Sequence, residues 1–229
     1  MTDRPGFQRA YSPEHKARRA ADLMAAARTL AAREGVRGVT LTAIARHAGV
    51  HVSAVRRYYA SREEILLNLA EEGYDGWSRA VATRLTGRAG LDSVELARTL
   101  VATLAERPLF CDLLTHVTLS LEREVAYERV RAFKRAAGEA VGVLTDTVAA
   151  ASALDRAAAR ELITGTIALT APLWQAGHPG DVLTRLYREE PDMAHVGIDF
   201  EPALTRLLAA LCDGLTGDRS PLETAEREA

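Results

Sequence analysis

LTAIARHAGVHVSAVRRYY, residues 41–59, reads as two short helices joined by a glycine turn. Thr40 is of the type that caps a helix N-terminus, and Leu41, Ile44, Ala45 and Ala48 follow at helical spacing. A helix of about two turns cannot stand alone, so it must pack. Gly49 supplies the positive-φ position at which a helix ends in one residue. Val50 and His51 then lead into a second segment with Val55 and Tyr59 four apart on one face. Helices joined this tightly cross steeply, and Ala45, one turn before Gly49, is small where the crossing helix needs room. This is the layout of a helix-turn-helix, whose second helix enters the major groove of DNA.

With Val55 and Tyr59 inward, Val52, Ser53, Arg56 and Arg57 lie on or beside the outward face. Two adjacent arginines suit phosphate or guanine far better than a core. The plainer alternative is a small solvated helix in an ordinary bundle. Against it stand the turn glycine, the small contact residue and the basic face, all in register.

Residues 20–67 resemble the DNA-binding domain of the tetracycline-repressor (TetR) family. The residues that carry the resemblance are Glu34-Gly35, Thr40, Ile44-Ala45, Ala48-Gly49-Val50-His51, the segment 55–59 reading VRRYY, and the segment 61–65 reading SREEI. Two positions depart from the family pattern. His51 stands where a serine cap is usual, which leaves open whether it caps the helix or reads a base. Arg56 replaces a phosphate-contacting tyrosine and keeps a cation there. The resemblance implies that Arg62, in the place of the family's lysine, touches backbone phosphate. The candidate DNA-binding set is therefore Thr40, Thr42, His51, Val52, Ser53, Arg56, Arg57, Tyr58 and Arg62.

Working outward, composition favours helix throughout: of 229 residues, 48% are hydrophobic but only 5% aromatic, and alanine, leucine and arginine abound. The net charge of −2 conceals a division. Residues 1–62 hold 12 Lys and Arg against 4 Asp and Glu, a surplus of +8; the rest holds 17 against 27, a deficit of −10. A basic small end on an acidic large end suits a nucleic-acid module joined to a different one. Cys111 and Cys212 are too few and too far apart for a disulfide framework and read as reduced, buried thiols. The charged N-terminus is no signal peptide and no apolar run is long enough for a membrane span, so a cytoplasmic protein is expected.

The expected fold is all-α. Residues 1–62 form an N-terminal arm, with Arg4 and Arg9, and a three-helix DNA-binding domain; residues 63–217 form a larger helical ligand-binding and dimerisation domain; residues 218–229 form a flexible tail. Ser12-Pro13 opens the first helix, which runs to Gly35. Ser61 with Glu64 is a capping box that starts a helix over residues 62–85, placed to act as a lever between the domains. Further helices are expected over residues 93–107, 108–121, 123–151, from Asp155 to about 177, 181–188 and 202–215.

Residues 162–177 read LITGTIALTAPLWQAG, without a charge on any face, yet too short and interrupted to cross a bilayer. A helix uncharged all round must be covered all round. A homodimer sealed by this helix and the last one is expected, with Leu162, Thr166, Leu169, Leu173, Leu204, Leu208 and Leu211 as candidate interface residues, and the TetR resemblance implies the same four-helix arrangement. A monomer with two central core helices is the alternative.

Catalytic signals are weak. His15, His47, His51, His116, His178 and His195 are scattered, and no HExxH, paired CxxC or phosphate loop occurs, so no catalytic residue, metal or cofactor is expected. The scarce aromatics point instead to a ligand cavity lined by Phe110, His116, Tyr127, Phe133 and Trp174, although each could equally be core. The expected function is a transcriptional regulator, a repressor first, that binds a pseudo-palindromic double-stranded DNA operator as a dimer and is released by a small-molecule effector. A helical carrier or enzyme whose helix-turn-helix only packs is the competing class.

Overall fold

The computed structural model describes residues 13–117, 119–193 and 199–216. Ser12, His195, the arm carrying Arg4 and Arg9, and the tail 218–229 lie outside the described residues. Ten α-helices and two 3-10 turns follow one another among the described residues, and no strand interrupts them. The chain divides into two compact units after Ile65. That point lies three residues beyond the junction expected from the capping box.

The first unit holds α1 (Pro13–Gly38), α2 (Leu41–His47), α3 (Val52–Val55) and the first turn of α4 (Arg62–Leu85). Leu23, Met24, Ala27, Leu30 and Ala31 bury one stripe of α1. Gly35, at φ 72°, breaks its helical geometry where the sequence places the end. Ile44, Ala45 and Val55 are buried, and the Tyr59 hydroxyl donates to the Ala20 carbonyl at 3.3 Å, tying the chain after α3 to α1. Short helices cannot be held by buried area alone, so their ends matter.

Each end here has a partner. Thr40 Oγ1 accepts from the Ala43 N–H at 3.1 Å. At the other end of α2, Val50 N–H donates to the Ala45 carbonyl and Gly49 N–H to that of Arg46, a Schellman closure around Gly49 at φ 64°. Ser61 Oγ accepts from Glu64 N–H at 3.1 Å, and the Glu64 carboxylate reaches back to Ala60 N–H at 2.6 Å.

The second unit contains the rest of α4 with α5 (Ser93–Ala105), α6 (Pro108–Val117), α7 (Tyr127–Ala151), α8 (Arg156–Gly177), α9 (Asp181–Glu189) and α10 (Phe200–Thr216). Asp92 and Asp155 cap α5 and α8, accepting from Glu95 and Ala158 N–H at 2.8 and 2.7 Å. The helix expected over residues 123–151 begins only at Tyr127, because residues 121–123 form a separate 3-10 turn. α8 continues through Pro172, which leaves the Ala168 carbonyl without its usual helical donor.

α10 packs against α5 and α8, and α8 also against α6 and α7. At the α8–α10 contact, a Cβ on Gly165 would lie 2.7 Å from Leu211 Cδ2. α9 stands apart, with Val182, Leu183 and Leu186 exposed. Among the described residues no helix is long and apolar enough to cross a membrane.

The structure corrects four of the expected interface residues. Leu162, Thr166, Leu204 and Leu208 are at most 1% exposed within their own protomer. They lie on the inward faces of α8 and α10, and a partner chain could not reach them. Leu169, Leu173 and Leu211 are half-buried. The outward stripe of α8 is Thr164, Ala168, Pro172 and Gln175; that of α10 is Leu207, Ala210 and Gly214. Toward its N-terminus the α8 stripe continues as the exposed Arg160 and Glu161, and the exposed Arg206 and Asp213 flank that of α10.

Candidate nucleic-acid interface

From residue 35 to residue 62 the chain contains five arginines and no Asp or Glu. The backbone just described turns four of them, Arg37, Arg46, Arg56 and Arg57, to solvent together with Thr40, Thr42, His47, His51 and Ser53. Val52 and Tyr58 are half-buried beside them. Among the described residues Arg56 and Arg57 make no ion pair, so no carboxylate competes for them. An exposed basic surface on two short crossing helices attracts a polyanion at any sequence, and the helix end projecting from it supplies groups for base edges.

The fifth arginine differs. Arg62 donates from Nη2 to the Val36 carbonyl at 2.8 Å and from Nε to that of Val39, while Nη1 faces Glu63 Oε1 at 3.1 Å. Its guanidinium ties the α1–α2 connection to the start of α4. The position expected to touch phosphate thus has structural contacts on all three of its nitrogens.

His51 occupies the N-cap of α3. Its Nδ1 lies 3.3 Å from Ser53 N and 2.9 Å from Ser53 Oγ. The imidazole therefore does what a serine cap does at this position, and it remains exposed.

Among the described residues, the five expected to line one cavity fall into different surroundings. Phe110 and Phe133 are buried against Tyr74, with ring centroids 5.0 and 6.0 Å from it, and Phe110 also meets Trp77. α4 and α6 approach so closely here that a Cβ on Gly73 would lie 2.2 Å from Phe110 Cδ2. Trp77 donates its indole N–H to Thr103 Oγ1 at 3.0 Å. His116 is half-buried on the same helix as Phe110, 3.9 Å from Asp112. Tyr127 is 75% exposed, because the later start of α7 puts it on the first turn.

Trp174 belongs to another group. It stacks on His178 at 3.7 Å and meets Phe200 edge-on at 5.0 Å, beside a recess of about 190 Å3 whose lining also includes Ala105, Asp199 and Glu201. Tyr74, Trp77, His178 and Phe200 join these groups although the sequence reading does not single them out. The i, i+3 spacing of Tyr74 and Trp77 beside Gly73 is the available signal for the first two.

Polar groups border the first cluster. Arg129 pairs with Glu71 at 2.6 Å, and Lys134 with Glu122 at 2.7 Å. Arg129 Nε is buried without a hydrogen-bond partner. Burial, and secondarily the Glu122 charge, pushes the Tyr74 hydroxyl up to about 12. Burial likewise pushes the Cys111 thiol up to about 12, which keeps it protonated and unreactive. Among the described residues no group of three His, Cys, Asp or Glu is placed to hold a metal ion.

Comparison with known proteins agrees with this arrangement. Residues 23–69 match the family described as "Bacterial regulatory proteins, tetR family", and residues 71–219 match "Tetracyclin repressor-like, C-terminal domain". Among solved structures, FadR of Thermus thermophilus, a repressor in complex with lauroyl-CoA, is 22% identical over 88% of this chain and 97% of its own, with a TM-score of 0.54. The fatty acid degradation regulator FadR of Bacillus halodurans is 18% identical over 88% and 96%, at 0.52. The multidrug binding protein EbrR in complex with imidazole is 20% identical over 84% and 94%, at 0.53. A search of curated proteins gives no match. The basic helix-turn-helix and the helical unit that follows it thus fall under two descriptions of one family, and the chain belongs to the tetR family of bacterial regulatory proteins.

Proposed function

We propose that this protein is a ligand-responsive repressor that binds a pseudo-palindromic operator as a homodimer. The observation that carries the reading is the exposed, carboxylate-free face of residues 35–61, where Arg56 and Arg57 have no acidic partner among the described residues. Those two arginines take phosphates, and the α3 N-terminal residues take base edges. Arg62 acts at one remove, by holding the start of α4 against the α1–α2 connection.

Dimerisation rests on the outward residues Thr164, Ala168, Pro172 and Gln175 of α8 and Leu207, Ala210 and Gly214 of α10. Their small residues allow close helix approach, and a second copy related by a two-fold axis would pair the same stripes. Two heads on such a dimer meet an inverted repeat. Because the two units divide within α4, a ligand state of the second unit reaches the first through that helix. A ligand alters operator affinity only by preferring one of two states of the dimer. The lauroyl-CoA and imidazole held by proteins of this fold support reading the second unit as the ligand-holding one.

The test is selection from a pool of random duplexes at two salt concentrations, followed by sequencing of the retained fraction. An inverted repeat retained at both salts is the expected outcome. Weak, sequence-independent retention that vanishes at the higher salt would overturn the reading.

A further inference from the structure

Among the α-helices of the second unit, α9 is the one that buries no side chain. Its sequence, DVLTRLYRE, divides cleanly at helical spacing: Val182, Leu183, Leu186 and Tyr187 share one face, and every charged residue lies on the other. The polar face is closed on itself. Arg185 pairs with Glu189 one turn away at 2.7 Å, and Thr184 Oγ1 donates to the Pro179 carbonyl at 3.0 Å. The apolar face has no such cover among the described residues: Val182 is 82% exposed, and Leu183 and Leu186 are exposed as well. Nine residues are too few to hold a helix in water unaided, so an apolar face of this kind marks a contact with something else.

Two observations identify what covers it. Only residues 178–180 separate α9 from α8, so its apolar face begins a few residues beyond Pro172 and Gln175, the last outward residues of α8. The outward residues of α8 and α10 that carry dimerisation number seven, with four charged ones beside them. A stable interface takes about 20–30 residues from each side. The stripes alone are too small a surface, and the adjoining face of α9 enlarges it with larger apolar side chains. We propose that α9 is a dimerisation arm whose Val182, Leu183 and Leu186 lie against the partner copy, so that its apolar face is buried only in the dimer. This inference rests on the homodimer reading and adds a second contact area to it.

The test is sedimentation equilibrium of the full-length protein, comparing wild type with a Val182→Glu, Leu186→Lys double variant. Both positions are exposed in the protomer, and a glutamate four residues before a lysine supports the helix, so the variant keeps its fold. Far-UV circular dichroism checks this. The dimer dissociation constant should rise at least about hundredfold, because two apolar side chains are lost from the contact and two charges stand in their place. Photoreactive benzoylphenylalanine in place of Leu183 then locates the contact, and irradiation should yield a covalent dimer.

An unchanged dissociation constant in the double variant, or a cross-link confined to the same chain, would overturn the arm. Retained dimer affinity with loss of binding to phosphatidylglycerol vesicles would assign the face to a lipid surface and overturn it as well. In each of these outcomes the dimer itself stands. A wild type that stays monomeric would instead remove the homodimer reading and the arm with it, so the two failures are distinguishable.

Discussion

The two units are held together in different ways. In the first, α2 and α3 have seven and four residues, and their ends are closed one by one: Thr40 on Ala43, Gly49 and Val50 on α2 carbonyls, His51 on Ser53, Arg62 on Val36 and Val39. In the second, long helices bury Phe110, Phe133, Trp77 and rows of leucine. One unit is a set of short elements whose exposed tips must stay in place for recognition. The other is an apolar bundle, and an apolar bundle tolerates shifts between helices better than a chain of directional hydrogen bonds does. That division of labour suits a rigid reader joined to a deformable sensor.

Packing loss should break the second unit first. Phe133→Ala removes a ring that is 1% exposed, and the expected cost is about 3–5 kcal/mol. Because Trp77 and Trp174 are the chain's two tryptophans and both lie in the second unit, denaturant titration followed by tryptophan fluorescence reads this loss there. A midpoint equal to wild type would contradict the packing account.

Alkali should act on the same unit. Tyr74 rises from 10.0, and Cys111 from 9.0, each to about 12, because burial disfavours their charged forms. Folded-state values above the unfolded ones contribute stability that is full below pH 9.0 and is lost as pH climbs toward about 12. Thermal midpoints measured across that window should fall, and Cys111→Ala should flatten the part that starts near pH 9.0. A flat profile over the window would contradict this.

A smaller effect sharpens the contrast from the other side. Arg62→Met removes two charge-assisted hydrogen bonds to backbone carbonyls, and the expected cost to the first unit is about 1.5–3 kcal/mol. Arg57→Ala, on an exposed position, should stay within about 0.5 kcal/mol. Far-UV circular dichroism on heating reads both variants. Equal stability for the two would remove the structural role assigned to Arg62.

The same contrast explains what is legible in the sequence alone. Caps and glycine closures are local, so Thr40, Gly49 and Ser61 can be read within four or five residues of the chain, and each holds the cap or turn position expected of it. Whether Arg62 meets phosphate or protein depends on carbonyls 23 and 26 residues away, which no local pattern reveals. In α8 and α10 apolar residues occur on every side, so periodicity does not say which side is inward. That is why Leu162, Thr166, Leu204 and Leu208 read as interface residues and yet lie in the core.

Aromatic scarcity misleads in a related way. Phe110, Tyr127 and Trp174 are far apart in sequence, and rarity alone does not bring residues together. Phe110 meets its partners on α4, Trp174 has its own beside α8 and α10, and Tyr127 faces solvent.

The proposed dimer grips DNA through the exposed arginines of both heads. Its most direct test is the dependence of affinity on salt for the selected inverted repeat, with wild type and an Arg56→Ala, Arg57→Ala double variant. Removing two phosphate-binding arginines from each of two heads should flatten the slope of log K against log salt by about 3.6. A slope that does not change would show that these arginines do not touch phosphate.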